Sequence, residues 1–78
     1  MKQEYYYHVE ESCPRYIKIS GNKTIVINEY LPKKYIIGTS DTLTVAMLWR
    51  ESVLRNKGVR ISQKIWYKIL RNAIITAH

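Results

Sequence analysis

Cysteine is almost absent from this chain. Cys13 stands alone among 78 residues, so no internal disulfide can form, and the two histidines, His8 and His78, lie at opposite ends. A structural zinc site takes about four Cys or His ligands at defined spacing. That pattern is missing, and no metal or cofactor is expected. Long apolar runs are also missing: none approaches the ~20 residues of a membrane span. The opening MKQEYYYHVEE holds glutamates where a secretory signal has its apolar centre. The expectation is a cytoplasmic protein with a reduced thiol at Cys13. Acidic residues are scarce, six Asp and Glu against thirteen Lys and Arg, for a net charge of +7. Residues 1–11 set Lys2 against Glu4, Glu10 and Glu11 and are net acidic, so the whole excess falls on the rest of the chain, where only Glu29, Asp41 and Glu51 oppose the basic residues. Such an excess favours polyanionic partners. Catalysis has little to draw on. There is no carboxylate–histidine pair, no Gly-rich phosphate loop and no Ser/His/Asp set on a plausible scaffold. No catalytic residue is assigned, and the protein is not expected to be an enzyme.

What is present is a chain rich in Ile, Lys, Asn and Tyr with no Phe, a composition that suits an AT-rich coding sequence such as those of many phages and mobile elements. Its length allows one domain, near the lower limit for a self-sufficient core. Residues 4–9, with Tyr5, Tyr6 and Tyr7, read as an edge strand or an ordered arm. Arg15 to Ile19 alternates polar and apolar residues, the mark of a strand with one buried face. Ser20-Gly21-Asn22-Lys23 is a turn sequence, and Thr24 to Tyr30 is a second strand. Leu31-Pro32-Lys33 turns again into a third strand, Lys34 to Ile37, closed by Gly38. Ser40 or Asp41 then caps a helix running through Asn56, with Lys57-Gly58 as its stop signal. That helix is apolar over a wide arc, which requires more than one packing partner. Ser62 caps a second helix to about Thr76, with Ile65, Trp66, Ile69, Leu70, Ala73 and Ile74 forming an apolar stripe.

The predicted fold class is α+β, a three-stranded antiparallel sheet packed on one helix, plus a C-terminal amphipathic helix. The single domain divides into an N-terminal arm or edge strand (1–14), a sheet-plus-helix core (15–58) and the C-terminal helix (59–78). That last helix is expected to cover the first or to mediate a homodimer. If Ile17, Ile19, Ile25, Ile27, Tyr35 and Ile37 face the helix, then Tyr16, Lys18, Thr24, Val26, Asn28, Tyr30, Lys34 and Ile36 form an outer face without a carboxylate. Such a face can set lysines against phosphates and Asn, Thr or Tyr against base edges.

The stretch from Lys33-Lys34-Tyr35-Ile36-Ile37-Gly38-Thr39-Ser40-Asp41-Thr42 through Ala46, with Leu54 and Gly58 beyond, resembles the plant ethylene-response-factor DNA-binding domain and its phage relatives. The chain is also similar to the arm-type DNA-binding domains of integrases. The resemblance spans residues 15–58 and implies that the sheet face away from the helix enters the DNA major groove. It would place Lys34 and Ile36, Asn28 and Val26, and Tyr16 and Lys18 at contact positions on the third, second and first strands. Ile36 stands where that family usually has tryptophan, and the C-terminal helix is an addition to its minimal domain.

The candidate nucleic-acid-binding residues are therefore Tyr16, Lys18, Thr24, Asn28, Lys33 and Lys34 on the sheet, with Lys64, Lys68 and Arg71 on the last helix. Those three share one helical face at i, i+4 and i+7 and suit a clamp on phosphates; the plainer account is a solvated outer face. DNA is the expected partner, in a regulatory or recombination role. The alternative is a small phage-encoded inhibitor docking on a host protein with an acidic surface, as an anti-CRISPR-type module does.

Overall fold

The computed structural model describes residues 2–76. Its elements run β1 (Gln3–Glu10), β2 (Cys13–Ser20), β3 (Lys23–Leu31), β4 (Lys34–Ser40), α1 (Leu43–Arg55), β5 (Val59–Arg60) and α2 (Gln63–Thr76). All five strands form one antiparallel sheet, ordered β4-β3-β2-β1-β5. The expected three-stranded sheet on one helix is thus corrected to a five-stranded sheet with a helix on each face. The N-terminal segment is neither arm nor edge: β1 pairs with β2 along its whole length and with β5 on its other side. No helix is long and apolar enough to cross a membrane among the described residues.

Hairpin geometry decides which side chains share a face. Glu11 and Ser12 join β1 to β2 as a two-residue loop, both with positive φ, the I′ pattern that matches strand twist. Gly21 and Asn22 join β2 to β3, with positive φ at Gly21, the II′ pattern. A two-residue loop pairs odd-numbered residues with even ones. Ile17 therefore stands beside Val26, Ile19 beside Thr24, and Tyr16 beside Ile27. The isoleucines of β2 and β3 consequently point to opposite sides of the sheet, and the register expected from parity alone does not hold. Between β3 and β4 odd pairs with odd, as in Ile27 beside Ile37, up to an irregularity at Glu29/Leu31.

Each face has its own core. Ile17, Ile19 and Val26 pack with Ala46 and Val53 of α1, flanked by Tyr6 and Trp49. Tyr5 and Ile27 pack with Trp66 and Ala73 of α2, flanked by Tyr16, Ile25, Tyr35, Ile37, Ile61, Ile69 and Leu70. The second helix does not cover the first; the sheet lies between them.

The N-cap of α1 is Thr42, one step beyond the expected Ser40 or Asp41; its Oγ1 accepts from the Val45 N–H at 3.3 Å. The helix ends with Lys57 N–H on the Leu54 carbonyl (3.2 Å) and Gly58 N–H on the Val53 carbonyl (2.7 Å), a Schellman arrangement. Here Lys57, not glycine, takes the left-handed position, with φ 53. Gly58 is needed for a different reason: a Cβ there would lie 2.8 Å from Val53 Cγ1 and 3.0 Å from the Tyr7 carbonyl oxygen. That close approach lets Val59 and Arg60 reach β1 as a fifth strand, and the Ile61 N–H then donates to the Tyr5 carbonyl at 3.0 Å.

Candidate nucleic-acid interface

α2 begins where expected. Ser62 Oγ accepts from the Ile65 N–H at 3.2 Å, and the Ser62 carbonyl takes the Trp66 N–H at 3.0 Å. Trp66, Ile69, Leu70 and Ala73 seat the helix on the sheet, with Trp66 and Ala73 fully buried. Ile65 and Ile74 of the expected stripe remain exposed. The opposite side exposes Lys64, Lys68 and Arg71, which with Ile65 and Tyr67 line a shallow depression of about 510 Å³.

Lys18 joins this surface from the sheet. It projects from β2 on the α2 side, half-buried, and its Nζ donates to Tyr67 Oη at 3.1 Å. The same ammonium lies 5.3 Å from the centre of the Tyr67 ring and 5.9 Å from that of Tyr5, within cation–π range. Lys18, Tyr67, Lys64, Lys68 and Arg71 thus form one basic surface across two elements. Tyr67 was not among the residues expected from sequence, although it falls three after Lys64 and four before Arg71, on the same side of the helix.

The other side of the sheet handles charge differently. Arg50 donates to Glu4 at 2.7 Å. Glu10 accepts from Arg15, from Arg55 at 3.3 Å and from Asn56 Nδ2 at 3.1 Å. Those bonds, from Asn56 first and then Arg15 and Arg55, hold the Glu10 carboxyl down at about 2. Glu4 is lowered by its bonds to Arg50 and then Tyr6. Arg15, Arg50 and Arg55 on the α1 side are thereby matched to carboxylates, whereas Arg60 on that side lies over the Tyr6 ring, 5.7 Å from its centre. α2 contains no carboxylate at all, and among the described residues no ion pair engages Lys18, Lys64, Lys68 or Arg71.

The remaining expected residues do not assemble into a reading face. Thr24 is buried, 1% exposed, on the α1 side, and Asn28 on that side accepts from Arg15 Nε at 2.8 Å. Tyr16 lies on the opposite side, partly buried beneath α2 and 5.0 Å from the Tyr7 ring. Lys33 and Lys34 are exposed at the β3–β4 turn, at the far end of those strands from the row that Lys18 shares with Ile25 and Thr39. The sheet has no continuous outer face to enter a groove, because a helix lies on either side.

Under α1 lies a buried polar group. His8 is 2% exposed, its Nε2 lies 3.5 Å from Ser52 Oγ, and its Nδ1 has no partner among the described residues. Burial, helped by the Arg15 charge, pushes its pKa below the ordinary 6.5. Cys13 Sγ is partly buried and faces the Glu29 carbonyl at 3.5 Å. His78 lies outside the described residues. Comparison with protein-family models, with characterised proteins and with solved structures finds no match to this chain.

Proposed function

We propose that the protein binds nucleic acid, duplex DNA foremost, through the outer face of α2 together with Lys18 and Tyr67. The observation that carries this reading is the set of four cations on one surface with no carboxylate among them. Lys64, Lys68 and Arg71 span about 10 Å along the helix axis, roughly three steps of one DNA strand. An α-helix fits the major groove, and Tyr67 adds an aromatic surface beside the phosphates. The role is one of binding rather than catalysis, in a regulatory or recombination setting.

The test is a fluorescence-anisotropy titration against random duplex DNA at several salt concentrations. Four phosphate contacts predict that log affinity falls with log salt at a slope of about −3 to −4. Reversing Lys64, Lys68 and Arg71 to Glu should flatten that slope to about −1, whereas Lys33→Glu with Lys34→Glu should leave it nearly unchanged. Absence of binding at low salt, or a slope that the triple variant keeps, would overturn the reading.

A second reading has one specific observation behind it. Leu43, Met47 and Leu54 share an outer flank of α1 and are all exposed, Leu54 at 80%. Such a stripe suits a protein partner docked on the α1 side of the sheet. A stoichiometric partner retained from nuclease-treated host lysate and lost on Leu54→Glu would favour it.

A further inference from the structure

The two edges of the sheet are unequal. β5 closes one side with two residues, whereas β4 leaves the other open for seven. Folded proteins protect a long edge with charge, proline or a bulge. Here the irregularity at Glu29/Leu31 and the lysines Lys33 and Lys34 guard only the turn end. Tyr35-Ile36-Ile37-Gly38-Thr39 carries no charge and no proline. On the α1 side of this edge Ile36 is 56% exposed and Leu48 of α1 is 58% exposed. Between strand and helix runs a depression of about 180 Å³, with Gly38, Val45 and Trp49 in its lining.

Gly38 is the unexplained residue. Its φ is not positive, and a Cβ built on it meets nothing within 4 Å. Nothing inside the fold requires glycine there, and glycine weakens a strand. Within strands it marks places where another chain approaches closely.

We infer that β4 pairs antiparallel with β4 of a second copy about a twofold axis at Ile37. Such a dyad sets Ile36 of each copy opposite Gly38 of the other, so the exposed isoleucine fills the space that the missing side chain leaves. It also brings Lys33 of each copy opposite Asp41 of the other, and neither has an ion-pair partner among the described residues. The edge is self-complementary in shape and in charge, as an isologous interface must be. Antiparallel pairing in the plane makes one continuous ten-stranded sheet, counting five strands from each copy. The dyad stands perpendicular to that sheet, so both α2 helices lie on the same side. The pairing does not depend on what α2 binds.

The test is sedimentation velocity of the full chain from micromolar to hundred-micromolar concentration, without nucleic acid. Wild type should sediment as a dimer. Gly38→Val has room within the monomer and collides with Ile36 of the second copy; Ile36→Lys brings a charge into the contact. Each should weaken dimerisation at least about tenfold while circular dichroism and cooperative melting persist. In a Cys13→Ser background, mixing Ile36→Cys chains with Gly38→Cys chains should give a mixed disulfide on oxidation. A wild type that stays monomeric throughout, or a dimer that survives both substitutions, would overturn the pairing. Unaltered DNA affinity in a monomeric variant would leave the inference standing and bear only on the separate question of binding.

Discussion

Thr24 Oγ1 is buried on the α1 side of the sheet without a hydrogen-bond partner among the described residues. A buried hydroxyl left unpaired costs roughly 1–3 kcal/mol. Thr24→Val keeps the shape and removes the polar atom, and a β-branched side chain suits a strand. The expected result is a gain of about 1 kcal/mol in urea unfolding, with DNA affinity unchanged. Loss of affinity in a stable Thr24→Val protein would instead return Thr24 to the binding surface. Lys18 presents the reverse case. Its ammonium lies near the rings of Tyr5 and Tyr67 and is held at the edge of α2 by its bond to Tyr67 Oη. Tyr67→Phe keeps the ring and removes the acceptor of that bond.

Among the described residues four besides glycine, Glu11, Ser12, Lys33 and Lys57, hold left-handed backbone. Each sits in a turn or just past a helix end, where asparagine or glycine does so with less strain. A left-handed residue with a side chain costs roughly 1–2 kcal/mol. Replacing Glu11-Ser12 by Asn-Gly should therefore stabilise the protein by about 1–2 kcal/mol, and for a domain this small each kcal/mol raises Tm by about 4–8 °C. A melting temperature that does not rise in calorimetry would mean the loop is not strained. The same substitution pattern explains what was legible. Gly21-Asn22 announces its hairpin, and the stripe from Trp66 to Ala73 announces α2. Glu11-Ser12 carries no turn signal, so β1 read as an arm or edge strand rather than as an interior strand. Val59-Arg60 is too short for periodicity to mark it. The basic face of α2 was readable from the spacing of Lys64, Lys68 and Arg71, and Lys18 was a candidate too, but that it shares a face with α2 was not readable, because its side of the sheet follows from loop length rather than from alternation within β2.

Over the whole molecule, sequence-distant acid contacts fasten the first strand to the first helix. Glu4 reaches Arg50, and Glu10 reaches Arg15, Arg55 and Asn56, while His8 lies buried between them against Ser52. These groups predict acid instability in two windows. The pKa of His8 is lowered in the fold, so the fold favours the neutral ring; its contribution is complete above about 6.5 and is lost as pH falls below that value. Glu4 and Glu10 are lowered from 4.5, so the fold favours their charged forms; their contribution is complete above about 4.5 and is lost as pH falls, for Glu10 down to about 2. Urea unfolding in steps from about pH 8 to pH 2 separates the two. His8→Phe should flatten the upper window and leave the lower one, whereas Glu10→Gln should lower stability at neutral pH and shrink the lower window. If both variants retain the wild-type profile in full, the link between β1 and α1 does not set the acid limit, and stability must rest on the two apolar cores alone.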